Sequence, residues 1–134
     1  MTETAILHDP IRIGDVLARV GELGVTVSLD DFGTGYSSLT HLKTLPVSEV
    51  KIDRSFVAGM AADPTDAHIV RWTIGLVNGL GLRVVAEGVE DDATWRMLAT
   101  LGCDLVQGYG LARPMPAADV AAFLVQWQAE EIRA

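Results

Sequence analysis

Val25-Thr-Val-Ser-Leu-Asp-Asp-Phe-Gly-Thr-Gly-Tyr-Ser-Ser-Leu39 decides how this chain is read. Val25 to Leu29 has the composition of a short strand. Asp30 and Asp31 follow where that strand is expected to stop. Gly33 and Gly35 then free the backbone to bend sharply. Ser37 and Ser38 can cap a helix that starts near Leu39. Two acids at the end of a strand, beside a flexible loop, make a place to hold a divalent cation.

Working outward, the pattern of strand and helix repeats. Ile11 to Leu23 has helical spacing at Ile13, Val16, Leu17, Val20 and Leu23, with Gly24 to close it. A short helix over roughly Ser37–Thr44 ends before Pro46, and Ser48 to Asp53 reads as the second strand. Asp63-Pro64 is an N-cap followed by an N1 proline for a helix to about Leu80. Leu82 to Glu87 is the third strand. Asp91 and Asp92 open a helix that Gly102 ends, Cys103 to Val106 is the fourth strand, and a last helix runs from Pro116 to near Glu130. Helix and strand alternate four times, which predicts an α/β fold with a parallel sheet and right-handed crossovers. Four strands suit a doubly wound sheet or part of a (β/α)8 barrel, which needs eight to close.

Composition sets limits. The chain has 134 residues, enough for one domain, with 49% apolar residues and a net charge of −8. A mean hydropathy of +0.29 is high for so charged a chain. It suits strands buried on both faces, or a surface made for an absent partner. The pI of about 4.6 argues against binding DNA or RNA through bulk charge. A phosphate ligand stays open if metal ions supply the positive charge. Cys103 is the single cysteine, so no intrachain disulfide can form and a cytoplasmic location is expected. The uncharged run from Trp72 to Leu82 is too short to span a bilayer, and the first residues do not resemble a signal peptide.

Strand side chains alternate between faces. That puts Ser28 and Asp30 on one face, with Glu49, Lys51 and Asp53, Val85 and Glu87, and Leu105 and Gln107 in the same phase on the next strands. Asp30, Asp31, Lys51, Glu87 and Gln107 are therefore expected to converge at the carboxyl ends of the strands, where α/β sites form. Each has a plainer reading. Asp30-Asp31 can start a turn, Lys51 can be a solvated charge, Glu87 and Glu90 can favour a helix start, and Gln107-Gly-Tyr-Gly110 can be a turn. Their common phase on four strands favours a site. His8, His41 and His68 lack ligand spacing, and Trp72, Trp95 and Trp127 are expected to pack on helices.

Asp30-Asp-Phe-Gly-Thr-Gly-Tyr-Ser-Ser-Leu39, Lys51-Ile-Asp-Arg-Ser-Phe56, Val85-Ala-Glu-Gly-Val-Glu90 and Gln107-Gly-Tyr109, with Arg113-Pro-Met-Pro116 after them, resemble the EAL-domain family of cyclic di-GMP phosphodiesterases. The resemblance implies a (β/α)8, TIM-type barrel, of which this chain would hold about four parallel strands. It implies a bacterial signalling enzyme that hydrolyses cyclic di-GMP to linear pGpG with two Mg²⁺ or Mn²⁺ ions. By it, Asp30 and Asp31 bind metal, Lys51 orients the attacking water, Glu87 holds that water or takes its proton, and Gln107 positions substrate. Glu3 matches the glutamate that steadies the Asp-Asp-Phe-Gly loop. The Glu-Ala-Leu signature, an asparagine ligand and a metal-binding glutamate ahead of Glu3 are not in the sequence. Residues 1–134 therefore look like the C-terminal half of such a domain, expected to be inactive alone. The alternatives are a non-catalytic cyclic di-GMP-binding module, or an interaction module that self-associates or docks with a complementing N-terminal half.

Overall fold

The computed structural model describes residues 10–33 and 39–131. In chain order the elements are α1 (Pro10–Glu22), β1 (Ser28–Phe32), α2 (Leu39–Thr44), β2 (Glu49–Ile52), α3 (Arg54–Gly59), α4 (Pro64–Gly79), β3 (Arg83–Glu87), α5 (Asp92–Thr100), β4 (Leu105–Gln107) and α6 (Ala117–Glu131). The strands form one parallel sheet in the order β1-β2-β3-β4. Sequential parallel neighbours joined by helices are the arrangement of a barrel segment, as the alternation of elements predicts.

One face of the sheet is sealed by helices. Leu29, Val50, Ile52, Val84 and Ala86 point to that side and pack with Val57 of α3, Val70, Ile74 and Val77 of α4 and Leu98 of α5, all at most 2% exposed. Burying such side chains contributes about 1.5–3 kcal/mol each. The locked apolar positions turn the intervening residues of β2 and β3 toward the opposite face.

Helix starts follow the expected chemistry. The Asp63 carboxylate accepts the Thr65 amide at 2.7 Å. Asp91 accepts the Thr94 amide at 2.8 Å and its hydroxyl at 3.0 Å. These bonds satisfy donors that a helix leaves without internal partners.

Two expectations need correction. The first strand is Ser28–Phe32, not Val25–Leu29, because its ladder to β2 begins with Ser28 opposite Glu49. Asp30 and Asp31 therefore lie inside the strand. Trp95 and Trp127 do stack, with ring centroids 5.7 Å apart, but Trp72 is 72% exposed on α4 and does not pack as expected.

The loops after β3 and β4 are stitched together. The Val89 amide donates to the Gln107 carbonyl at 3.1 Å, and the Gly110 amide donates to the Val89 carbonyl at 2.9 Å. A Cβ at Gly108 would overlap the Val89 backbone itself. Gly108→Ala is accordingly expected to destabilise the protein by about 1–3 kcal/mol, the cost of overpacking. Gly75→Ala, in mid-α4 with nothing near its Cβ position, is expected to stabilise by about 0.5–1 kcal/mol through helix propensity. Urea unfolding of the two variants checks both signs.

Candidate metal and active site

The carboxyl ends of β1, β2 and β3 bring three acids and a lysine together. One carboxylate oxygen from each of Asp30, Asp31 and Glu87 lies within 4.8 Å of the other two. Consecutive residues of a regular strand face opposite ways, so the adjacency of Asp30 and Asp31 in this cluster requires a break in the strand. The ladder shows it. Leu29 pairs with Val50 and Phe32 with Ile52, so β1 carries one residue more than β2 over the same span. Such an irregularity re-aims side chains. Asp31 takes φ +57, a left-handed conformation that aspartate tolerates better than most residues. Its amide donates to the Asp30 carboxylate at 2.9 Å, which fixes that group's orientation.

Lys51 enters from β2. Its Nζ pairs with the Glu87 carboxylate and lies 4.0 Å from Asp30 Oδ1. All three side chains are largely shielded, at 21% exposed for Lys51, 33% for Asp30 and 20% for Glu87. The hydrogen bond to Glu87 raises the Lys51 pKa above its usual value. Attraction to Glu87, Asp30 and Glu49 adds to the rise, against the opposing effect of burial. A raised lysine pKa means that the pair's stabilisation is fully present below the ordinary lysine pKa. It is lost only as pH climbs through the raised one. The ammonium is thus a fixed charge at neutral pH.

Glu87 and Gln107 are direct partners in the β3–β4 ladder. Both line a cleft of about 190 Å³ with Arg54, Gly88, Glu90 and Tyr109. Asp30, Asp31, Lys51 and Glu87 therefore converge as expected, and Gln107 stands beside Glu87 on the next strand. Glu3 lies outside the described residues.

Three cleft residues escaped the sequence reading of the site: Arg54, Glu90 as a lining group, and Tyr109, over whose ring Arg113 sits 4.7 Å from the centroid. Arg54 arrives because α3 begins immediately after β2, a helix the sequence reading did not separate. Its signal was present in Asp53-Arg-Ser55, a cap sequence, followed by Phe56, Val57 and Met60 at helical spacing. Asp53 itself is an N-cap and not part of the acidic cluster. Its carboxylate accepts both the Ser55 amide at 2.9 Å and the Ser55 hydroxyl.

A divalent cation suits this donor set. All three clustered groups are hard oxygen donors, and three carboxylates beside one ammonium leave two negative charges uncompensated within the cluster.

The comparisons with known proteins agree with that geometry. The EAL domain family model matches residues 1–114. The chain belongs to the EAL domain family. It is 47% identical over 122 residues to the bifunctional diguanylate cyclase/cyclic di-GMP phosphodiesterase MucR of Pseudomonas aeruginosa, a match covering 91% of this chain and 18% of that protein. The solved PaMucR phosphodiesterase, a c-di-GMP complex, superposes with a TM-score of 0.84 at 47% identity over 90% of this chain and 49% of its own. The EAL domain of Mycobacterium smegmatis DcpA gives 0.86 at 42% identity over 93% and 56%. The manganese/cy-diGMP complex of Klebsiella pneumoniae BlrP1 gives 0.76 at 34% identity over 84% and 29%. The chain thus spans about half of the first two solved chains and less than a fifth of MucR. It is a partial EAL domain, and these EAL neighbours bear out the TIM-type fold class. Among the described residues no helix is long and apolar enough to cross a membrane.

The cap at α3 gives a pH-dependent prediction. Bonds from the Ser55 hydroxyl and then its amide lower the Asp53 pKa below the usual aspartate value. A lowered carboxylate pKa contributes stability above the unfolded pKa, and that stability disappears as pH falls through the folded one. Asp53→Ala is expected to cost about 0.5–2 kcal/mol at neutral pH. The difference from wild type should shrink below about pH 4, as read by urea unfolding across pH.

Proposed function

We propose that residues 1–134 are the C-terminal half of an EAL domain and carry part of a cyclic di-GMP phosphodiesterase site. The observation that carries this reading is the cluster of Asp30, Asp31 and Glu87 at the carboxyl ends of parallel strands, with Lys51 paired to Glu87 and 4.0 Å from Asp30. The similarity to MucR, PaMucR and BlrP1 supports cyclic di-GMP as the substrate, and linear pGpG is the product that the family resemblance implies.

Asp30 and Asp31 are assigned as the principal ligands of Mg²⁺ or Mn²⁺. Such ions, when bound, supply Lewis acidity and a nucleophile at neutral pH. Lys51 orients the attacking water and offsets charge that develops on the phosphate. Glu87, held by Lys51, accepts a proton from that water. Gln107 positions the substrate, and the Arg54 guanidinium in the same cleft offers a bidentate donor to a phosphate oxygen. Glu3 is assigned to anchoring the loop after Asp31. The reading places this chemistry in the cytoplasm.

The same cluster limits activity. Hard cations take about six oxygen ligands, and Mg²⁺ requires near-octahedral geometry. Among the described residues the three clustered carboxylates fill only part of such a shell, so the isolated chain holds metal weakly and turns substrate over at background rate. The incomplete ligand set also favours a second reading, a module that binds cyclic di-GMP or a protein partner without catalysis.

Calorimetry and product analysis on the purified chain test both. Weak Mn²⁺ binding is expected, reduced about tenfold or more by Asp30→Asn or Glu87→Gln, with no pGpG formed above background. Asp31→Gly is expected to lose Mn²⁺ affinity in the same way while unfolding within about 1 kcal/mol of wild type. Relief of the left-handed φ offsets the added chain entropy there. Metal-dependent pGpG formation by the chain alone would overturn the inactivity. Mn²⁺ affinity untouched by all three substitutions would overturn the site.

A further inference from the structure

Between α4 and α5 a cleft of about 270 Å³ opens on the surface. Ala67, Met97 and Leu101 give it an apolar lining, and Arg71, Arg96 and Thr100 are its polar groups. Val70, Ile74 and Leu98, on the same two helices, are 0% exposed in the core against the sheet. Arg71, Arg96 and Thr100 are exposed, so the cleft faces outward, with the core between it and the acid cluster. α4 leads into β3 and α5 leads out of it, and β3 is paired on both sides by strands of this chain. The cleft is therefore formed without either outer edge of the sheet.

Neither the Arg71 nor the Arg96 guanidinium has an ion-pair partner among the described residues. The chain holds 18 acids against 10 lysines and arginines, so two such charges in one cleft are not explained by a shortage of partners. Asp92, one turn before Arg96, is spaced for a pair and does not make it. Asp66, the acid of α4, lies against Gly59 of α3. The Thr100 hydroxyl donates to the Arg96 carbonyl at 2.9 Å, which leaves the two guanidiniums as the side-chain donors of the cleft.

We infer that this cleft binds a small phosphate monoester with a ring-sized apolar body. Charge selects the head group. A carboxylate carries one charge and is matched by one bidentate arginine. A phosphate monoester carries about −1.5 to −2 at neutral pH on three acceptor oxygens, which suits two guanidiniums. The lining selects the body, since Met97 and Leu101 offer apolar contact and a thioether packs well against an aromatic ring. Size excludes a larger occupant: small-molecule pockets run from about 300 Å³ upward, and this cleft stands at that lower end. The inference uses neither the metal cluster nor the family reading, so it stands or fails apart from both.

Methyl NMR of the chain in metal-free buffer, with phenyl phosphate as the probe, tests it. Saturable shifts at Ala67, Met97 and Leu101 are expected, with a dissociation constant of about 1 mM or below. Arg71→Gln and Arg96→Gln are each expected to weaken binding about tenfold, the loss of one charge-assisted hydrogen-bonded contact. Their circular dichroism should match wild type, since both side chains are exposed. Arg19→Gln, on α1, is expected to leave the affinity unchanged. Phenol, benzoate and inorganic phosphate each lack part of the probe's chemistry and are expected to bind about tenfold more weakly or less. No saturable shift up to about 10 mM phenyl phosphate overturns the inference. So does an affinity that survives the Arg71→Gln/Arg96→Gln double variant, or phenol binding as tightly as phenyl phosphate. Equal binding of benzoate overturns the phosphate head, and equal binding of inorganic phosphate overturns the apolar body.

Discussion

An ammonium held against carboxylates is the interaction on which this site depends. Asp30, Asp31 and Glu87 would repel one another at their separation if no opposite charge stood beside them, as Lys51 does against Glu87 and Asp30. Lys51 supplies that charge, and the sheet supplies Lys51. Val50 and Ile52, on either side of it, are buried at 0% and 1% exposure against the helices. The core therefore fixes which way the lysine faces. Pairing of Lys51 with Val85 in the β2–β3 ladder then sets Glu87 two residues further along the neighbouring strand. Packing on one side of the sheet thus becomes charge placement on the other.

The limits of the sequence reading follow from the same physics. Lys51, Glu87 and Gln107 were readable because β2, β3 and β4 keep a regular period of two and a common register. The first strand was harder. Val25 and Val27 look like strand residues, yet pairing starts at Ser28, since a ladder depends on two chains and only one is visible locally. The extra residue between Leu29 and Phe32 is likewise a property of the pair. The convergence of Asp30 and Asp31 was nevertheless expected, although alternation by itself puts only Asp30 on the face shared with Lys51 and Glu87. α3 went unseen because its six residues are too few for a helical period to declare itself. The cap at Asp53 announces it, and the spacing of Phe56, Val57 and Met60 only supports it.

The family resemblance and the residue reading contributed different things. Motif order named the relatives and the kind of barrel. Strand phase, independently, picked nearly the same residues without reference to any relative. What neither supplied was the neighbourhood of Gln107, which is built by loops. Gly88 has φ +75 and leaves no room for a side chain beside Arg54. Backbone approach of that kind brings Arg54 and Tyr109 to the cleft, and it is invisible to any count of periodicity.

The interlocked loops after β3 and β4 have a mechanical consequence. Two backbone hydrogen bonds tie Val89 to Gln107 and Gly110, so the stretch from Glu87 to Tyr109 behaves as a single bracket. A ligand reaching from one side chain to the other does not have to freeze two independent arms, and that saved entropy strengthens binding. Any widening of this cavity must therefore come from its remaining wall, at Arg54.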